Sequence, residues 1–352
     1  MPTQKILFPI LNWGMGHASR SLPIINLLLE HGHQVTIASD GEAGNLLKLE
    51  LPQLPHITLP SYRIDYSNRN FLVQYARVAI RTSKAIKREH KAVSRLLCDQ
   101  SFDVIISDNR YGTYHPSAKN VIITHQMAIQ LGPVFKQIAS WQVKRYIDKF
   151  DFCWIPDVKR NEISGSLSAG LLDIPTHHIG LLSRFRKIVE PLKYDLAVVL
   201  SGPEPHRSIL QDELISKLKD LDLKSVLVTG SSNANLPKLS ASGIEVHPML
   251  TTLDLNHLLC QSKMVICRSG YSSIMDLIHL GKRGILIPTP GQPEQQYLAK
   301  HHANNPLFVI QHQRNINIAS AIQTFGKRTY INTPEMDLQV NELDQALTEL
   351  GL

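Results

Sequence analysis

Residues 264–300 read MVICRSGYSSIMDLIHLGKRGILIPTPGQPEQQYLAK. A short apolar run, Met264 to Cys267, has the length and residue types of a buried strand. A polar turn follows, Arg268-Ser269-Gly270-Tyr271-Ser272-Ser273. Apolar residues then recur at Ile274, Leu277 and Ile278, which is helical spacing, and Gly281 suits the helix C-cap. A second apolar run, Gly284 to Ile287, leads into a loop rich in Pro and Gln, Gly291-Gln292-Pro293-Glu294-Gln295-Gln296. Strand, turn, helix and strand in this order make one unit of a parallel sheet. The turn at the carboxyl end of the first strand aims a helix N-terminus outward. Its free N–H groups and dipole can hold a phosphate. Asp276 sits one turn further along the same face as Ser272 and Ser273. With a diphosphate on the serines, its carboxylate is placed to accept from ribose hydroxyls. Glu294, Gln295 and Gln296 supply the donors and acceptors that sugar hydroxyls need.

The pattern extends over the whole chain. Strand-like runs at Lys5 to Asn12, Gln34 to Ser39, Asp103 to Ser107, Val121 to Thr124 and Phe152 to Ile155 alternate with helix-like segments. A polar, basic stretch from Leu181 to Pro191 reads as a linker. Strands then resume at Tyr194 to Ser201, Ser225 to Thr229 and Gly243 to His247. This is parallel α/β architecture twice over. It gives an N-terminal domain over 1–185 and a C-terminal domain over 186–352.

The motif at 268–296 resembles the nucleotide-sugar site of GT-B glycosyltransferases, closest to the N-acetylglucosaminyltransferase that forms lipid II and to its clade of UDP-glycosyltransferases. Arg268, Ser269, Gly270, Ser272, Ser273, Asp276, Gln295 and Gln296 carry the likeness. The family usually has Glu where this chain has Asp276. The resemblance implies two Rossmann-like doubly wound domains facing a cleft, the second holding the nucleotide sugar. It implies a hexosyltransferase that moves a sugar from a UDP-sugar to an acceptor hydroxyl, with inversion and without a metal or other cofactor. A UDP-sugar 2-epimerase of the same fold and a non-catalytic nucleotide-sugar-binding protein are the alternatives. Further donor-side candidates are Ser201, Gly202 and Arg207 in the first turn of the second domain. His247 and Met249 match the place where the base is commonly read.

On the acceptor side, the first strand ends in Trp13-Gly14-Met15-Gly16-His17-Ala18-Ser19-Arg20. Gly14 and Gly16 let the backbone approach a ligand. Arg20 stands where a dinucleotide fingerprint has its third Gly, which disfavours a nicotinamide cofactor. His17 is a candidate general base, or a residue that orders the following helix. Asp108 is a candidate support for it, and His125 a candidate acceptor contact. Each of the two alone is as readily a loop cap.

The composition is 43% hydrophobic and 19% charged over 352 residues, as in soluble globular proteins. No run of about 20 apolar residues occurs, and no secretory signal opens the chain. The four cysteines lack metal-ligand spacing. These features are those of a cytoplasmic enzyme. The net charge of +7 favours anionic partners. Aromatics at 6% without basic interleaving argue against nucleic acid. Between Leu72 and Leu97, cations at Arg77, Arg81, Lys84, Arg88, Lys91 and Arg95 share one helical face. That face is either solvated or a contact for an anionic surface. The second option places the enzyme at the inner face of a membrane, with a lipid-linked or acidic acceptor.

Overall fold

The computed structural model describes residues 2–62, 71–128, 133–160, 162–202, 204–231, 243–328 and 340–352, without the side chains of 71–79, 133–136, 138, 340 and 341. Contacts divide the chain into two units. One is Met1–Lys159, Ser166–Gly180 and Val340–Leu352; the other is Arg160–Gly165 and Leu181–Gln339.

The first unit holds β1 (Lys5–Pro9), β2 (Gln34–Ser39), β3 (His56–Thr58), β4 (Val104–Asp108), β5 (Lys119–Ile123), β6 (Phe152–Ile155) and β7 (Thr176–His178). They form one parallel sheet in the order β3-β2-β1-β4-β5-β6-β7. All five residues of β4 are buried, as expected of a strand covered on both faces. The helices are α1 (Gly16–Glu30), α2 (Gly41–Glu50), α3 (Phe71–Asp99) and α4 (Pro133–Ile147). Strand order reverses between β1 and β4, so the loops after these two strands diverge and leave a crevice at their carboxyl ends.

The second unit repeats the plan. It holds β8 (Tyr194–Val199), β9 (Ser225–Val228), β10 (Ile244–His247), β11 (Ser262–Cys267), β12 (Arg283–Leu286) and β13 (Phe308–Ile310). The order β10-β9-β8-β11-β12-β13 is again all parallel. Its helices are α5 (His206–Leu218), α6 (Thr252–Cys260), α7 (Tyr271–Leu280), α8 (Pro293–His301) and α9 (Ile318–Gly326). The core between sheet and helices is apolar, with Leu196, Val198, Ile266, Ile285 and Phe325 in it.

The chain returns to the first unit at its end. Helix α10 (Val340–Leu350) buries Leu343, Ala346, Leu347 and Leu350, one apolar stripe at helical spacing. The stripe is covered by the first unit. Lys119 Nζ donates to Leu350 O at 3.0 Å and Gln4 Nε2 to Gly351 O at 3.1 Å. Periodicity marks this helix as amphipathic but does not say which domain covers it, so the boundary at 185/186 places 340–352 in the second domain, whereas the contacts place it in the first. The short crossover at 160–165 belongs to the second unit: His301 Nε2 and His302 Nε2 lie 2.8 and 2.9 Å from the carbonyls of Glu162 and Ile163.

Candidate active site

At the crevice of the first sheet, Gly14 takes φ +75°, a conformation open to glycine, and lets the chain turn from β1 into α1. The helix starts at Gly16, so His17 lies in its first turn instead of in the preceding loop. Ser21 and Arg20 follow one turn on, along the same face. All three meet the last residue of β4, Asp108, which is fully buried. His17 Nδ1 lies 2.8 Å from Asp108 Oδ1. Arg20 Nε donates to Asp108 Oδ2 at 2.8 Å, and Ser21 Oγ donates to the same oxygen at 3.0 Å. Arg20 Nη2 also pairs with Asp108 Oδ1. Burial opposes the ionised form, but the Arg20 guanidinium and then His17 outweigh it, holding the carboxyl well below the usual carboxylate range. Arg20 also reaches His125, whose Nδ1 accepts from Nη1 at 2.8 Å.

Sequence reasoning named His17, Asp108 and His125, and the structure brings them together. It missed Arg20, which it treated as the replacement for a glycine. The i, i+3 spacing of His17 and Arg20 was the available signal.

Beside this cluster lies a second buried network. Arg110 donates from Nη1 to Glu89 Oε1 at 2.7 Å, from Nε to Ile10 O at 2.9 Å, and pairs through Nη2 with Asp40. Glu89 Oε2 in turn accepts from Tyr62 Oη at 2.7 Å and from the Gly112 N–H at 2.8 Å. These bonds tie the ends of β1, β2 and β4 to α3. They hold rigid the frame on which His17 and Asp108 sit.

In the second unit, β11 ends at Cys267 and α7 begins at Tyr271, with Gly270 at the N-cap. Gly281 caps the far end in the left-handed conformation. Arg268 and Ser269 are buried. Arg268 donates to Gln313 Oε1 at 2.9 Å and to His206 O at 2.8 Å, and burial lowers its pKa to about 10. Ser269 Oγ donates to Gln295 O at 2.8 Å, while Gln295 Oε1 accepts from the Thr289 N–H at 2.8 Å. These three side chains therefore knit β11, β12 and α8 together beneath the surface. Ser272, Ser273, Glu294 and Gln296 reach the surface from the first turns of α7 and α8. Gln295 and Gln296 both belong to α8, not to the loop before it. Adjacent residues on a helix point about 100° apart, which turns one inward and the other out.

Asp276 is half-buried on α7 and accepts from Ser183 Oγ at 2.7 Å. Burial raises its pKa to about 6, against the opposing pull of the Ser183 bond and of Arg184. Arg207, in the first turn of α5, donates to Gly230 O at 3.0 Å and pairs with Glu204 at 2.9 Å. Ser201 and Gly202, the latter at φ +97°, form the turn after β8. His247 Nε2 lies 2.8 Å from Glu245 Oε1, and Met249 is half-buried in the next turn.

Comparison with known proteins bears on both units. Residues 206–324 match the model of the glycosyltransferase family 28 C-terminal domain. No curated protein matches the chain. Among solved structures, MurG of Acinetobacter baumannii aligns at 12% identity over 99% of both chains, with a TM-score of 0.56. Arabidopsis thaliana UGT89C1, complexed with UDP-L-rhamnose, aligns at 12% identity over 100% of both chains, with a TM-score of 0.64. The spinosyn rhamnosyltransferase SpnG, complexed with thymidine diphosphate, aligns at 11% identity over 99% of this chain and 93% of that one, with a TM-score of 0.60.

Proposed function

We propose that this chain, a glycosyltransferase of the GT-B fold with a family 28 C-terminal domain, moves the sugar of a UDP-sugar onto an acceptor hydroxyl by direct displacement, with inversion and without a metal. The His17–Asp108 dyad carries this reading. An ionised carboxylate only accepts, so His17 donates from Nδ1 and keeps the lone pair of Nε2 for a substrate proton. As the acceptor oxygen attacks the anomeric carbon, Nε2 takes its proton and Asp108 stabilises the imidazolium. On the donor side, the N–H groups of the first turn of α7, with Ser272 and Ser273, hold the leaving diphosphate. Asp276 takes the ribose, and Gln296 with Glu294 takes the sugar. Relatives of this fold complexed with UDP-L-rhamnose and thymidine diphosphate support a nucleoside diphosphate sugar as donor.

A thermal-shift screen of UDP-, GDP- and dTDP-sugars, followed by product analysis with and without an acceptor, tests the reading. Stabilisation by UDP-sugars and acceptor-dependent release of UDP are expected. An isomerised donor without acceptor would make the chain a 2-epimerase. Tight UDP binding with no turnover would make it a binding protein. Retained anomeric configuration would refute inversion, and activity lost to a chelator and restored by a divalent ion would refute metal independence.

The same reading includes peripheral contact with an anionic membrane through α3. Arg81, Lys84, Lys87, Arg88, Lys91 and Arg95 are all exposed. Glu89, the one acid of that stretch, turns inward to Arg110 and leaves the outer face cationic. The side chain of Arg77 lies outside the described residues. On α4, which shares a hydrophobic cluster with α3, Trp141 is 58% exposed beneath Arg145, a residue type at home in the headgroup layer. Among the described residues no helix is long and apolar enough to cross a membrane. Each cation near an anionic bilayer contributes about 1 kcal/mol. Sedimentation with anionic but not neutral vesicles at low salt is expected, and is lost when Arg81, Lys84, Arg88 and Lys91 become Gln. No sedimentation at low salt overturns the membrane contact.

A further inference from the structure

Arg20 is 2% exposed and spans the two histidines of the acceptor side. It reaches His17 through Asp108, to which it donates from Nε at 2.8 Å, and it reaches His125 directly from Nη1 at 2.8 Å. A dyad of histidine and carboxylate does not require it. A guanidinium on the same carboxylate even works against the dyad, because it offsets the charge that stabilises an imidazolium. Its position therefore needs another reason.

That reason lies in the chemistry of the guanidinium. It has five donors, no acceptor, and keeps its proton at any physiological pH. A ring nitrogen facing it must present a lone pair. His125 Nδ1 is then the acceptor, and the proton of a neutral His125 sits on Nε2. Asp108 is held ionised by the same guanidinium and only accepts, so the proton of His17 sits on Nδ1. Arg20 thus reaches two imidazoles that carry their protons on opposite nitrogens.

We propose that Arg20 is a positioning residue: it locks His17 with its lone pair on Nε2, locks His125 with its proton on Nε2, and keeps the dyad from binding a second proton before the acceptor arrives. The groups facing the dyad agree with this. From α1 come His17, Arg20 and Ser21; from β4 and the residues after it, Asp108 and Tyr111, the latter set against Asn109, Thr124 and Cys153; from the end of β5, His125. Burial pushes Tyr111 and Cys153 each up to about 12, so both stay neutral. Arg20 and Asp108 then balance, and without Arg20 the pair of His17 and Asp108 carries an uncompensated negative charge. The catalytic meaning of the lock rests on the reading of His17 as the base.

The test is nitrogen NMR of the full chain labelled at histidine, with His17 and His125 assigned from His17→Gln and His125→Gln. In the wild type, His17 should show the Nδ1–H tautomer and His125 the Nε2–H tautomer. In Arg20→Gln, His125 should relax to a mixture of tautomers, and the His17 signals should move toward the doubly protonated form at the same pH. Should that variant fail to fold, Arg20→Lys keeps the cation but cannot span both partners, and only His125 should change. An Nδ1–H tautomer for His125 in the wild type overturns the proposal by itself. So do unchanged histidine signals in whichever variant folds. The readout involves no turnover, so a failed sugar-transfer assay leaves it standing, and active enzyme with the wrong tautomers sinks it alone.

Discussion

The loop after β1 and the loop after β11 lie on opposite sides of the strand-order reversal of their sheets, since β1 corresponds to β8 and β11 to β4, and each leads into a helix. Their chemistry differs. The first is built on buried charge: His17, Arg20, Asp108 and His125 contact one another at hydrogen-bond distance. The second presents hydroxyls and backbone N–H groups at the start of α7, and its one buried cation, Arg268, is spent on internal carbonyls and Gln313. A proton-transfer site needs a titratable group held in one protonation state, and buried charges do that. A site that receives an anion needs free donors and little competing charge, and a helix N-terminus does that at small structural cost. On the proposed reading, one topology supports two kinds of chemistry, chosen by the residues of the first helical turn.

The largest expected effect breaks the comparison on the first side. His17→Ala should lower kcat by about 10²–10⁴-fold with donor affinity almost unchanged, read by steady-state kinetics with the donor found by thermal shift. Near-normal kcat would return His17 to a structural role.

The second effect belongs to α7. Asp276→Ala should weaken UDP binding by about 1–3 kcal/mol, the scale of a charge-assisted hydrogen bond, measured by calorimetry. Unchanged affinity would place the ribose elsewhere. The same residue makes a pH prediction. Its pKa is raised from 3.8 to about 6 by burial, so the folded state binds a proton that the unfolded chain has released. The stability it contributes is present in full at low pH and is lost as pH rises through about 6. Thermal melts without ligand should show this loss in the wild type and not in Asp276→Asn. Parallel pH curves for the two proteins would refute it.

The smallest effect separates neighbours. Gln296→Ala should weaken UDP-sugar binding more than UDP binding. Gln295→Ala should instead lower stability by about 1 kcal/mol, because the Thr289 N–H loses its acceptor. Equal losses for both ligands in Gln296→Ala would remove that residue from the sugar site.

Much of this was legible along the chain. Apolar runs of strand length, each followed by a polar turn and a helical period, suffice to place β1, β2, β4, β6 and the β11–α7–β12 unit. The short strands β3, β7 and β13 escape such a reading, since three residues carry no period. Local signals also placed Gly281 at its C-cap and His17 and Asp108 beside β1 and β4. Which neighbouring side chain faces ligand and which faces core is another matter. Gln295 and Gln296 are the same residue type, and only the phase of α8 against β12 turns the first to the Thr289 N–H. The i, i+3 spacing puts Arg20 on the face of His17, but it does not name its partners, which lie 88 and 105 residues away and meet it only once β1, β4 and β5 pair. Helix α10 shows the same limit at larger scale: its stripe is written in the sequence, but the surface that covers it is assembled from strands more than 150 residues earlier. Sequence by itself determined the elements and their order, because periodicity and turn chemistry act over a few residues. The tertiary structure decided the partners, because burial and hydrogen bonding act between segments that only the folded sheets bring within reach.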